Sequence, residues 1–319
     1  MAGPETPLLT LVGNSDHLAV LRHIRAHKLQ KPGIVVEHGQ YLLQSKSWNS
    51  SLAQIERLAC LEQIFVAALE VLNIDLAKDA LKQIQKEIND GGTKDSAGST
   101  SARYRKLVAL SLEFDEDFDT ALEVYNNMLQ ENPSNSYAHK RKYCVLKSQG
   151  KSAEAREVLN SYLEENGMDV GAWVEMAESC LDVGDYNGAA YCYEEILLSS
   201  PLDSNVHCML GELYVTIGGK ENLKLARKHL AQSLELDPNN VRALFGIVSA
   251  AETYLQLVDL SEANNKSNSK KKKMNKSDFD EDDVQMAKDL YEYGAGKLSN
   301  VYKGTYMSSL LEMILEGEE

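Results

Sequence analysis

The chain is 319 residues long with 43% hydrophobic and 25% charged residues, an ordinary balance for a globular protein that excludes disorder throughout. Its 33 basic and 48 acidic side chains leave a formal net charge of −15, which excludes a uniform nucleic-acid-binding surface, because phosphate recognition needs a basic footprint. The length alone suggests two domains of roughly 150 residues, unless it reports a number of repeats.

The opening MAGPETPLLTLVGNSD has no basic region followed by a long apolar core, so no secretory signal is expected. Residues 1–57 are assigned to an N-terminal helical extension. Within it His23 and His27 stand at i, i+4 beside Arg22, Arg25 and Lys28. Those cations oppose a divalent ion and no third ligand is evident, so no metal site is expected. The richest apolar run, Ile64–Leu69, lies between Gln63 and Glu70 and is too short to span a bilayer. The five cysteines, Cys60, Cys144, Cys180, Cys192 and Cys208, form no CxxC pair and are odd in number. They read as reduced core residues.

From the first third of the chain onward the sequence is periodic. Pro133 to Pro201 is 68 residues, twice 34, and Pro201 to Pro238 is 37. Thirty-four is the period of tetratricopeptide helical hairpins. With Trp173 at position 4 of such a unit, Met176 and Ala177 fall at 7 and 8, Ala189 at 20, Tyr193 at 24 and Pro201 at 32. Small residues recur at position 20 as Ala77, Ala121, Ala155, Ala189 and Ala226, and bulky ones at 24 as Leu81, Tyr125, Leu159, Tyr193 and Leu230. Small side chains let the paired helices approach, bulky ones fill the ridges, and proline ends the second helix. The expected fold class is therefore all-α, a tetratricopeptide-repeat superhelical solenoid with extra terminal helices, its units at about 58–91, 102–135, 136–169, 170–203 and 204–240 and a partial unit to 258. The three extra residues of the fifth unit fall at Gly218-Gly219-Lys220-Glu221, in the turn between its helices. A Gly/Ser-rich loop, GGTKDSAGSTS, occupies 91–101. Residues 259–283, with the Lys270–Lys273 run and the acidic Asp278–Asp283 stretch, read as a low-complexity, disordered insert, and 284–319 as capping helices.

No GxSxG, HExxH, GxGxxG or Walker loop stands in a context that would give it chemistry, so the chain is expected not to be an enzyme and to need no cofactor. The informative cluster is basic. Positions 2, 5, 9 and 12 of the first helix in a hairpin face the concave groove. In two successive units these are Arg103, Lys106, Leu110, Glu113 and Tyr137, Lys140, Cys144, Lys147. With the adjoining Arg141 and Lys142, the cations Arg103, Lys106, Lys140 and Lys147 are expected to form a partner-binding surface for an acidic segment. Lys142 and Tyr143 fill positions 7 and 8, where Leu and a small residue are usual, so the third unit departs from the pattern. A competing binding mode, a co-chaperone clamp on an acidic peptide tail, matches at Lys106 but not at Leu110, Arg141, Gly171 or Glu175.

Residues 137–163 (YAHKRKYCVLKSQGKSAEAREVLNSYL), 172–195 (AWVEMAESCLDVGDYNGAAYCYEE) and 223–246 (LKLARKHLAQSLELDPNNVRALFG) resemble subunit 2 of the endoplasmic reticulum membrane protein complex, over roughly residues 55–260. The resemblance implies a non-catalytic scaffold, peripheral on the cytoplasmic side of the endoplasmic reticulum membrane and held there through partners alone. It further implies that the scaffold bridges membrane-embedded subunits and a soluble subunit of metalloprotease-like fold, in a complex that inserts transmembrane segments, including those of tail-anchored proteins. No nucleic acid is expected among the partners.

Overall fold

The computed structural model describes residues 5–45, 52–91, 101–268, 279–310 and 313. Among these residues the regular structure is entirely helical: α1 (Glu5–Gly13), α2 (His17–Ala26), α3 (Pro32–Gln44), α4 (Gln54–Glu70), α5 (Ile74–Gly91), α6 (Ala102–Phe114), α7 (Phe118–Glu131), α8 (Ser136–Ser148), α9 (Ser152–Glu165), α10 (Val170–Asp182), α11 (Tyr186–Ser199), α12 (Ser204–Ile217), α13 (Lys220–Leu236), α14 (Val241–Asn268) and α15 (Glu281–Tyr302). The chain divides into two compact units, Met1–Lys151 and Ser152–Glu319.

The 34-residue period of the sequence is written into the backbone. Asn135, Asp169 and Asp203 stand 34 residues apart, and the side chain of each accepts the amide hydrogen three residues on, from Ala138, Ala172 and Val206. Asn240, after the three-residue insertion, does the same for Ala243. Each such cap satisfies one of the amides that a helix start leaves without a partner, worth about 1 kcal/mol. A second series closes the turns inside the hairpins. Glu116, Gly150, Gly184 and Gly218, again 34 apart, all hold positive φ, at 59°, 74°, 76° and 73°. At the first three of these turns the following amide, of Asp117, Lys151 or Asp185, reaches back to the carbonyl of Leu112, Leu146 or Cys180 at 2.9–3.0 Å. That is the left-handed helix stop for which glycine is suited, and Glu116 fills it without being glycine.

A third series involves rings. His139 Nε2 lies 2.8 Å from the Pro133 carbonyl, Trp173 Nε1 donates to the Gly167 carbonyl at 2.8 Å, and His207 Nε2 lies 3.1 Å from the Pro201 carbonyl. A carbonyl only accepts, so both histidines carry their proton on Nε2. Trp173 is half-buried, packing edge-on to Tyr191 at 5.9 Å, and so pins the inter-repeat turn rather than filling a core.

In the first unit α2 and α3 pack together and against α4, burying Val20, Leu21, Ile24 and Val35 with Leu61, Ile64 and Phe65. Gly39 permits this contact: a Cβ there would stand 2.7 Å from Ile64 Cγ1. In the second unit α12 and α13 cross where a Cβ on Gly211 would come within 2.5 Å of Leu230 Cγ. The position-20 alanines, Ala77, Ala121, Ala155, Ala189 and Ala226, are all at most 1% exposed. Small size at those points is a steric requirement.

The long helix α14 carries a 21-residue stretch, Val241–Ser261, with mean hydropathy 1.3, long and apolar enough to cross a membrane by length and composition. It packs against α13 and α15, and Leu244, Ile247, Ala251 and Tyr254 are buried. α14 runs to Asn268, into the segment expected to be disordered, and α15 begins at Glu281, so residues 259–268 and 281–283 are helical. The polar SEANNKSN tail extends a helix already nucleated by α14, which costs far less than starting one. The Lys270–Lys273 run and most of the Gly/Ser-rich 91–101 loop lie outside the described residues.

Replacing Glu116 with glycine is expected to stabilise the protein by up to about 1 kcal/mol, and Gly184→Ala to destabilise it by a similar amount, read from urea midpoints. A second prediction concerns pH. Burial, followed by the neighbouring His17, holds His38 below its ordinary value, and burial, followed by His207, does the same to His229. The unfolded chain therefore takes up protons that the fold resists. Stability should be fully present above about pH 6.5 and fall as pH drops through it. His229→Gln should flatten that slope between pH 7 and 5, measured by thermal melts at each pH.

Candidate functional site

The basic cluster belongs to the first unit, on α6 and α8. Both helices begin from polar starts, Ser101 and Asn135, and both bury one stripe: Tyr104, Leu107 and Ala109 on α6, and Ala138, Tyr143, Val145 and Leu146 on α8. At about 100° per residue, Arg103 and Lys106 share one side of α6, and Lys140 and Lys147 one side of α8. Lys142 sits about 200° around the helix from Lys140. It lies in the stripe of Ala138 and Val145 and is half-buried. Helical geometry thus removes Lys142 from the basic face that the sequence pattern assigned to it.

Arg141 has an internal role. Its Nε donates to Glu113 Oε1 at 3.1 Å, and its terminal nitrogen pairs with the other carboxylate oxygen. The Tyr125 hydroxyl donates to the same carboxylate, and Tyr125 is fully buried. Glu113, with its side chain 11% exposed, therefore links α6, α7 and α8 through one charge. Burial opposes the Arg141 charge, but Glu113 outweighs it and leaves the guanidinium above its ordinary value. Burial, followed by Glu113, drives the Tyr125 phenol far up. The residue expected at a groove position and the cation expected to bind partners turn out to satisfy one another.

The remaining cations have chemistry suited to a surface. Arg103 pairs with Glu62 of α4, Nε to Oε2 at 2.5 Å, with 59% of its side chain exposed. Lys106 Nζ lies 4.1 Å above the Tyr137 ring, a cation–π contact between α6 and α8. Burial pushes the Tyr137 phenol up to about 12. Lys147 Nζ lies 5.6 Å from the centre of the Tyr143 ring, and Lys140 is exposed. Arg103, Lys106, Lys140 and Lys147 thus form a rim of positive charge in which Arg103 is ion-paired and Lys106 and Lys147 stand against tyrosine rings.

Among the described residues no group of three or more His, Cys, Asp and Glu side chains could hold a metal ion. None of the five cysteines is in a disulfide, and burial pushes the Cys192 and Cys208 thiols up to about 12 and about 11, which keeps them protonated and unreactive. His23 and His27 stack with ring centres 4.1 Å apart, and His27 Nδ1 lies 3.0 Å from the His23 carbonyl. One feature that sequence reasoning missed lies beside the rim, a cavity bordered by Arg25, Lys28, Lys31 and Arg103. Its only signal in the sequence was basic residues every three positions from Arg22 to Lys31, which periodicity alone reads as a solvated helix face.

Residues 98–234 match the family model described as the EMC2 TPR-like repeat domain. The chain is 37% identical over 214 residues to "ER membrane protein complex subunit 2" of Xenopus tropicalis, covering 67% of this chain and 66% of that protein. It is 27% identical over 239 residues to the protein of the same name in Dictyostelium discoideum, covering 72% and 71%. "TPR repeat protein oca3" of Schizosaccharomyces pombe is 29% identical over 198 residues, covering 61% and 67%. The chain thus spans about two thirds of the length of the Xenopus relative.

Two substitutions separate the internal cation from the surface ones. Arg141→Met leaves Glu113 buried with only Tyr125 for company and should cost about 3 kcal/mol in chemical denaturation, whereas Lys140→Ala should change stability by less than about 0.5 kcal/mol.

Proposed function

This chain belongs to the family of subunit 2 of the endoplasmic reticulum membrane protein complex, and from that premise we propose that it is a non-catalytic scaffold subunit of that complex. In this reading it is peripheral to the endoplasmic reticulum membrane on the cytoplasmic side. It bridges membrane-embedded subunits and a soluble subunit of metalloprotease-like fold, and thereby supports insertion of transmembrane segments, including those of tail-anchored proteins. The observation that carries the reading is the cationic face of exposed Arg103, Lys140 and Lys147 and half-buried Lys106 in a chain of net charge −15. Clustered like charges are costly in isolation and become favourable when a partner brings carboxylates. Arg141 supports that face indirectly, by locking α6 to α8 through Glu113.

The co-chaperone clamp is less well supported. It would use other side chains at the positions of Leu110, Arg141, Gly171 and Glu175, and Arg141 is instead paired with Glu113.

Reversing the surface charges together, Lys106→Glu, Lys140→Glu and Lys147→Glu, should leave the helical content intact and reduce the co-purification of other complex subunits from cells by about tenfold, with the residual binding more sensitive to salt. Normal recovery of all subunits with the triple variant would show that this face carries no assembly contact.

A further inference from the structure

The cavity bordered by Arg25 and Arg103 lies wholly within the first unit, where the turn between α2 and α3 meets α4. Its volume is about 490 Å³, within the range of ligand sites and far more than a packing defect. The floor is apolar, made by Ile24, Val35, Ala59, Val66 and Ala67. Ile24, Val35 and Ala67 are buried beneath it, while Val66 is 37% exposed although it sits on a helix packed on its other side. Val66 is four residues beyond Glu62, on the side of α4 that faces Arg103.

The rim is positive. Arg25, Lys28, Lys31 and Arg103 surround the opening, against the carboxylates of Glu62 and Glu70. Glu62 is already held by Arg103. Arg25 makes its hydrogen bonds to neutral acceptors, Gln63 Oε1 at 3.2 Å and Cys60 Sγ at 3.5 Å. The carbonyl end of α2 would by itself account for Arg25 and Lys28. It does not account for Lys31, beyond the turn, or for Arg103, which reaches in from α6. Lys28 also holds φ of 50°, the left-handed conformation that glycine adopts without strain, so the turn keeps a lysine at a backbone cost.

The geometry points to a docking site for an acidic segment of a partner protein, one that inserts an aliphatic or aromatic side chain over Val66 and sets flanking carboxylates against Lys28, Lys31 and Arg103. This deepens the scaffold reading and rests on it for the occupant being a polypeptide. Charge complementarity selects the occupant: in a strongly acidic chain, an apolar floor ringed by an excess of cations repels basic segments and leaves neutral ones without partners for the rim. The cavity shares Arg103 with the α6–α8 face, so the segment would continue from the anchor toward Lys106 and Lys140.

The test uses the full chain and four sets of fluorescein-labelled twelve-residue peptides: acidic with leucine and phenylalanine, acidic with serine in their place, basic with leucine and phenylalanine, and neutral with leucine and phenylalanine. By fluorescence anisotropy the acidic–apolar set should bind at least about tenfold more tightly than each of the others. Val66→Glu should abolish that preference. Lys28→Glu with Lys31→Glu, at exposed positions that leave the core untouched, should abolish it while circular dichroism stays unchanged. Equal binding of all four sets, absence of binding, or undiminished binding by the double variant would overturn the proposal. Co-purification of complex subunits with the wild-type chain is a separate readout. A failed peptide preference with subunits still recovered removes the pocket and leaves the scaffold reading standing, whereas loss of the subunits removes the scaffold itself.

Discussion

The structure depends on a close approach between paired helices that recurs every 34 residues. At each crossing a residue no larger than alanine must sit under the neighbouring helix. Ala121, Ala155, Ala189 and Ala226 are buried for that reason, and at Gly211 even a methyl group would collide with Leu230. A crossing this tight fixes the rotation of both helices and so decides which residues face outward. The local devices work toward the same end. Asx caps at Asn135, Asp169, Asp203 and Asn240 set where the first helices begin. Left-handed residues at Glu116, Gly150, Gly184 and Gly218 set where they stop. With both ends and the rotation fixed, the outward positions of α6 and α8 become a surface of defined composition.

That surface is built on an internal charge. Glu113 gathers Arg141 and the Tyr125 hydroxyl from the two following helices, so a carboxylate at an outward position is drawn into a three-helix junction. The consequence is electrostatic. With Arg141 neutralised internally and Lys142 turned into the apolar stripe, the face retains Arg103, Lys106, Lys140 and Lys147, two of which rest on tyrosine rings. A cation over an aromatic ring keeps its charge available to an incoming carboxylate, whereas one locked in a buried pair does not. The proposed partner-binding role and the internal structural role thus fall to different members of one basic cluster.

The repeat was legible in the sequence because its determinants are local. A small residue at a crossing, an Asx cap and a proline after a helix each act within a few residues of where they are written. The site was legible only in part. Counting helical positions places Arg103 with Lys106 on one side of α6 and Lys140 with Lys147 on one side of α8, but Arg141 and Glu113 lie 28 residues apart and their pairing depends on how α6 and α8 meet. The repeat pattern places Trp173 at position 4 of its unit without saying what its indole bonds. Its indole ties down the Gly167 carbonyl, a task His139 and His207 perform in the neighbouring units. The cavity near Lys31 was invisible because it joins α2, α3, α4 and α6, and no single segment records that meeting.

The proposal that the cationic side of the first unit receives this chain's partners is tested most directly by hydrogen–deuterium exchange of the full chain alone and within the purified complex. Protection gained on assembly should concentrate in the first halves of α6 and α8 and around the α2–α3 turn and Val66 of α4. Protection confined to residues 152–319, with exchange in α4, α6 and α8 unchanged, would contradict it.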